Sequence, residues 1–271
     1  MDSIQASLNI VAMLPARMGS SRFPGKPLAE ICGIPMIGHV YARTQMADHL
    51  SQTWVATCDR EIFDYVESIG GKAVMTGDHH ERCSDRCAEG MLKVEEMTSQ
   101  KIDILVMVQG DEPMVRPEMI DESLVPLLGD PSVQITNLLG TIGSAEEFED
   151  PNCVKVVVDQ ESNALYFSRE PIPSKKKFSG EIKALKQVAI IPFRRDFLLQ
   201  YNEMEPTPLE EIESVDMLRV LERGGKIPMV PTSFDTQAVD TPADLHRVEE
   251  LMESDDLFQR YVQMREGARF S

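Results

Sequence analysis

The chain has 271 residues, of which 42% are hydrophobic and 27% charged, enough to bury a full core as one large domain or two small ones. Its 45 acidic residues against 27 basic ones give a formal net charge of −18, which argues against nucleic acid as a partner, because phosphate backbones are held by basic surfaces. Five scattered cysteines without a CxxC pair, no basic-then-apolar leader at residues 1–8 and no long apolar run lead us to expect a cytoplasmic protein with no membrane span and no zinc ribbon.

In chain order, "NIVAML" (9–14) reads as a buried strand, followed by a cationic loop and a helix near 35–48. "TWVATC" (53–58) is a second strand, "REIFDYVESIG" (60–70) an amphipathic helix closed by glycine, and "KAVMT" (72–76) a short third strand. Residues 83–97 read as a helix and "DILVMVQGD" (103–111) as the strongest buried strand. Strand, helix, strand at this spacing predicts βαβ units and a parallel sheet. Beyond residue 130 the pattern loosens into strands at 133–142, 153–159, 164–169 and 187–193, with a basic segment at 174–186. Helices return at 208–223 and 241–265. No repeat or linker cuts the chain, so we expect one α/β domain over 1–271 with a β-rich lobe at about 140–190.

The stretch "MLPARMGSSRFPGKPL" (13–28) holds Arg17, Arg22 and Lys26 and no carboxylate. Ligands of open α/β sheets bind beyond the carboxyl ends of strands, which is where this loop lies. Small residues let backbone approach a phosphate, and two guanidiniums with one ammonium neutralise several phosphoryl oxygens. The loop is neither a Walker loop nor a dinucleotide fingerprint. Its other reading is a solvated basic turn, which the absence of any acid disfavours.

"VQGDEP" (108–113) ends the strongest strand with Asp111 and Glu112, which either hold Mg²⁺ on a polyphosphate or form a turn capping the next helix. "AVDTPADLHRVEEL" (238–251) offers Asp240 ahead of a helix capped by Thr241 and started by Pro242. Asp240 becomes a second metal ligand only where the fold brings it to Asp111. The five histidines show no HExxH spacing, and His79 and His80 read as solvated loop residues beside Arg82 and Arg86, which are placed to meet an anionic substrate. Cys83 and Cys87 are four apart, but no further ligand completes a metal site and they read as buried or free thiols. Hydrolase chemistry has no support, since neither a GxSxG elbow nor a Ser-His-Asp pattern occurs.

In this order the motifs resemble the 3-deoxy-manno-octulosonate (Kdo) cytidylyltransferases. The matching pieces are "LPARMGSSRFPGKPL", "SDR" (84–86), "VQGDEP", "DPNCVKVVVD", "LYFSREPIP", "LEEIESVDMLRVL" and "VDTPADLHRV", spanning residues 10 to about 250. The resemblance implies an α/β, Rossmann-like nucleotidyltransferase fold, with a mixed, mostly parallel sheet flanked by helices and a smaller β-rich dimerisation lobe. It implies CMP transfer from CTP to the anomeric hydroxyl of an acidic 3-deoxy sugar, with release of pyrophosphate, Mg²⁺ as cofactor and a homodimeric enzyme that activates a lipopolysaccharide or surface-glycan precursor. Carried over by position, Arg17, Arg22 and Lys26 hold the triphosphate, and Asp111 and Asp240 hold Mg²⁺. Gln109 contacts the sugar acid and Arg86 its anionic group. Arg17, Lys26 and Asp111 form the catalytic set.

The departures fall on the sugar side. Where relatives have "HIGIYAYR" this chain has "QVAIIPFR", so the His and Tyr facing the sugar acid become Gln187 and Ile191. "ESLEQLR" becomes "ESVDMLR", which puts Asp216 and Met217 in place of Glu and Gln, and "HxSGTDR" becomes "HERCSDR". Replacing hydroxyl partners by Ile and Met changes which sugar a pocket accepts. The expected acceptor is therefore Kdo or a related ulosonic acid with fewer or altered hydroxyls, such as an amino- or deoxy-substituted one. Two alternatives stay open: a cytidylyltransferase for another acidic sugar, and a catalytically retired homologue that binds nucleotide. Intact Arg17, Lys26, Asp111 and Asp240 count against retirement.

Overall fold

A computed structural model describes residues 8–19, 23–235 and 237–268. The chain divides into two compact units, one drawn from the segments before Glu122 and after Asp235, the other from Glu122–Asp235.

The first unit is built on β1 (Ile10–Ala16), whose seven residues are all buried. A short hairpin of β2 (Glu30–Ile31) and β3 (Ile34–Pro35) leads into α1 (Met36–Thr44). Then come β4 (Gln52–Thr57), α2 (Arg60–Ser68), β5 (Ala73–Met75), α3 (Cys83–Thr98) and β6 (Ile104–Val108). The strands run in the order β6-β1-β4-β5, all parallel. Parallel strands connected by helices are covered on both faces, which is why β1 and β6 are continuous apolar runs rather than alternating ones. α2 buries Ile62 and Val66, one turn apart, and closes at Gly70, whose φ of +76° suits a residue without a side chain. α3 packs its Gly90 so closely that a Cβ there would lie 3.2 Å from Ala56 Cβ and from Met13 Sδ.

α4 (Pro117–Gly129) carries the chain into the second unit. There β7 (Asn137–Thr141), α5 (Ala145–Glu149), β8 (Lys155–Val158), β9 (Ala164–Ser168), β10 (Leu185–Val188), β11 (Ile190–Arg194), α6 (Arg195–Glu203), α7 (Pro208–Glu213), α8 (Leu218–Glu222) and β12 (Met229–Pro231) follow. Its sheet has the order β12-β7-β10-β8-β9 and is antiparallel except for β12 beside β7. The expected strand at 187–193 is two strands, because β10 pairs with β7 and β8 whereas β11 bridges Ile135 through Phe193. The expected helix at 208–223 is also two, broken at Ser214 in the left-handed conformation (φ 52°). A capping box of Thr207 and Glu210 starts the first of them.

The chain then returns to the first unit as α9 (Pro242–Glu253) and α10 (Asp256–Ala268). The expected single helix at 241–265 breaks because Asp255 caps α10, accepting the Phe258 N–H at 2.8 Å. The same Asp255 pairs with the fully buried Arg43 of α1 at 2.5 Å. Tyr261 OH lies 2.5 Å from His39 Nδ1, and the Cys32 N–H donates to Glu249 at 2.9 Å. Val239, Val248 and Met252 bury completely against Ile31 and Met36.

Candidate active site

The cationic loop leaves the carboxyl end of β1, and two backbone bonds shape it. The Met18 N–H donates to Asp59 Oδ2 at 2.7 Å, tying the loop to the end of β4, and the Gly25 N–H donates to the Met18 carbonyl at 3.1 Å. Gly25 sits at φ 76°, a conformation L side chains rarely take, and starts the tight turn Lys26–Leu28. Arg17 is exposed at the strand end. Arg22 lies outside the described residues.

Lys26 reaches across to two carboxylates. Its Nζ is 2.7 Å from Asp111 Oδ2 and 3.3 Å from Asp240 Oδ1. Asp111 stands where it does because Gly110 lets the chain cross the end of β1: a Cβ there would lie 2.8 Å from the Pro15 carbonyl oxygen. The Val239 N–H then donates to the Asp111 carbonyl at 3.0 Å, which sets Asp240 beside it. The reciprocal Thr241–Asp244 capping box fixes the helix that follows. The residues alone left Asp240 conditional on the fold, and the resemblance paired it with Asp111; the fold sets both beside Lys26.

Side chains 12%, 30% and 24% exposed keep Lys26, Asp111 and Asp240 within reach of a ligand. An anionic, oxygen-only donor set fits a hard divalent cation such as Mg²⁺, which prefers one or two carboxylates together with phosphate oxygens.

On the other side of the β1 end, Pro15, Arg17, His80, Cys83 and Arg86 line a small cavity of about 40 Å³. Arg86 is only 3% exposed, and its guanidinium donates to Thr76 Oγ1 at 2.6 Å and to the carbonyls of Gly77 and His80. It braces the loop 76–80. Gln109 accepts from the Cys83 thiol at 3.3 Å. His79 is exposed as expected, but His80 is not a solvated loop residue, since its ring meets the Glu89 carboxylate.

The remaining expected substrate residues belong to the second unit. Gln187 donates to Asn137 Oδ1 at 2.6 Å, Ile191 and Met217 are buried, and the Asp216 carbonyl accepts from Tyr201 OH at 2.8 Å. That unit also holds polar residues sequence reading passed over. Lys155, wholly buried, donates to the carbonyls of Asp150, Cys153 and Arg169 at 2.7 to 2.8 Å. Burial opposes ionisation of Glu213, yet hydrogen bonds from the Arg169 N–H, Ser168 and Tyr166 hold its carboxyl below the usual range. The signal for Lys155 was present as a lone charge inside "CVKVVV". In the first unit Asp59 was missed, because an acid after a strand reads as an ordinary helix cap.

Comparisons with known proteins identify the family. The cytidylyltransferase family model matches residues 11–227. The 3-deoxy-manno-octulosonate cytidylyltransferase of Geobacter metallireducens is 45% identical over 253 residues, 90% of this chain and 97% of that protein. Its counterpart in Trichlorobacter lovleyi is 42% identical over 255 residues, 90% and 99% of the two chains. Among solved structures, a CMP:2-keto-3-deoxy-manno-octonic acid synthetase complexed with CTP superposes with a TM-score of 0.81 at 41% identity, over 90% of this chain and 98% of that one. Matched over nearly its whole length by proteins of one kind, the chain belongs to the cytidylyltransferase family, in its 3-deoxy-manno-octulosonate branch.

Proposed function

We propose that this protein transfers CMP from CTP to the anomeric hydroxyl of a 3-deoxy-ulosonic acid, releasing pyrophosphate and activating a precursor of lipopolysaccharide or another surface glycan. The observation that carries the reading is Lys26 held between Asp111 and Asp240 at the carboxyl ends of parallel strands. Arg17 and Lys26, with Arg22 from the same loop, neutralise the triphosphate. Asp111 and Asp240 hold Mg²⁺, which when bound supplies Lewis-acid screening of the α-phosphate and lowers the pKa of the attacking hydroxyl. The anomeric oxygen forms its bond to the α-phosphorus as the bond to pyrophosphate breaks in line, and the hydroxyl proton leaves to solvent. Positioning and charge neutralisation are enough for this chemistry, and no protein nucleophile is called for.

On the sugar side, position in the motifs assigns Gln109, Arg86, Gln187, Ile191, Asp216 and Met217 to the acceptor. The named relatives are 3-deoxy-manno-octulosonate enzymes, and the motif resemblance implies polar side chains where this chain has Ile191 and Met217. A sugar hydroxyl buried against such a side chain costs about 1–3 kcal/mol. That supports an acceptor of the Kdo type with an altered hydroxyl set. Dimerisation through the β-rich lobe and a cytoplasmic location belong to the same proposal, and no described helix is long and apolar enough to cross a membrane.

Pyrophosphate release measured with CTP, Mg²⁺ and a panel of sugar acids tests both levels. Release with any 3-deoxy-ulosonic acid supports the transferase. Silence across the panel with CTP still bound overturns it in favour of a nucleotide-binding homologue. Turnover of Kdo at or above the rate of every substituted analogue removes the altered-sugar reading alone.

A further inference from the structure

The loop from Thr76 to His80 and the first half of α3 gather three side chains, His79, His80 and Glu89, to which the proposed CMP transfer assigns no role. The ligand atoms of His79, His80 and Glu89, two imidazole nitrogens and a carboxylate oxygen, all lie within 4.8 Å of one another. His80 Nε2 already touches Glu89 Oε2, and the two imidazole rings have centroids 4.2 Å apart. Outer contacts hold this arrangement. The Gly77 N–H donates to Glu89 Oε2 at 2.9 Å, Lys93 pairs with Glu89 Oε1 at 2.7 Å, and Arg86 grips the carbonyls of Gly77 and His80. Ligands oriented by such outer hydrogen bonds are the usual construction of metal sites.

We propose that His79, His80 and Glu89 form a binding site for a divalent transition metal of the zinc class, which clamps the loop 76–80 to α3. The donor set selects the ion. Two imidazoles and one carboxylate suit Zn²⁺, Co²⁺ or Ni²⁺, whereas Mg²⁺ is left to the oxygen-only cluster of Asp111 and Asp240. The exposed position of His79 gives the ion an entry path and leaves a fourth position for water. On binding, the His80–Glu89 contact opens to admit the ion, and any proton on the imidazole is released to solvent.

The test uses the untagged full-length chain, stripped with EDTA and titrated with Zn²⁺ by calorimetry and with Co²⁺ by visible absorbance. We expect one equivalent of Zn²⁺ in the presence of excess Mg²⁺, a Co²⁺ ligand-field band, and a rise in Tm on loading. His79→Ala, an exposed change, should weaken Zn²⁺ binding by roughly tenfold or more and remove the Tm rise. Glu89→Gln should do the same. Asp111→Asn should leave all three signals in place. No uptake of either ion, or identical Zn²⁺ isotherms for the wild type and His79→Ala, would overturn the site.

Discussion

Two ion clusters in this molecule are built from the same kinds of group and differ in their exposure to water. In the first unit one ammonium, Lys26, stands between two carboxylates that remain partly exposed. In the second unit the guanidinium of Arg219 meets one carboxylate, Glu210, through bonds of 2.8 and 2.7 Å, and both side chains are at most 3% exposed. The remaining Arg219 donors go to the carbonyls of Tyr201 and Met204 at 3.1 and 3.0 Å. The buried pair is neutral and its geometry is saturated, as a charge removed from water requires. The half-open cluster keeps its carboxylates 24–30% exposed, so water reaches them. Partial exposure marks the cluster proposed to work, and full burial marks the strut.

Neutralising an acid should therefore separate the two clusters most sharply. Asp111→Asn or Asp240→Asn should lower pyrophosphate release by at least about 10²-fold, while Tm stays level or rises because like charges no longer face each other. A fall in Tm comparable to that of a core mutation would erase the contrast. Arg219→Met should do the reverse. It strands Glu210 without its partner and should destabilise the second unit by about 3–5 kcal/mol in urea denaturation, whereas a paired apolar replacement of both residues should recover most of that loss.

Smaller changes sharpen the comparison. Thr241→Ala removes a helix cap beside Asp240 and should cost about 1 kcal/mol, with a modest drop in turnover as Asp240 loses its register. Glu213 tests a saturated carboxylate through pH. Its native pKa is depressed below the ordinary 4.5, so its stabilising contribution is present above that value and is lost as pH falls through the lower native one. The Tm difference between the wild type and Glu213→Gln should accordingly hold steady from pH 7 to about pH 5 and shrink below it. The smallest effect belongs to His49→Ala, which breaks an exposed pair with Asp121 at 2.8 Å and should change stability by less than about 0.5 kcal/mol.

What could be read from sequence was local. The apolar runs of β1 and β6 and the glycines at strand ends announce a parallel sheet and a loop beyond it, because burial and backbone freedom leave their mark on adjacent residues. The pairing of Asp111 with Asp240 could not be read that way, since it depends on buried tethers such as Arg43–Asp255 and on the Val239 N–H. Helix ends were misjudged where a tertiary contact sets them. Asp255 stops one helix because Arg43 and the Phe258 N–H both need its carboxylate, and Ser214 stops another by adopting a left-handed turn that serine only infrequently adopts. The partners of buried Lys155 were opaque although its lone charge in the strand was visible, because the three carbonyls that satisfy it come from a loop and a strand end rather than from its own strand.

The separation of Lys26 from Asp240 by 214 positions has a consequence in time as well as space. A ribosome adding roughly 5–20 residues per second makes the loop, then β6, then the whole second unit before Asp240 exists, a delay of about 10–40 s. Asp111 joins the loop cations 85 residues into that interval, and from then on the nascent chain holds the first carboxylate without the second. The cluster is thus completed only after the second unit has been made, when α9 and α10 dock on α1 and bring Asp240 to Lys26.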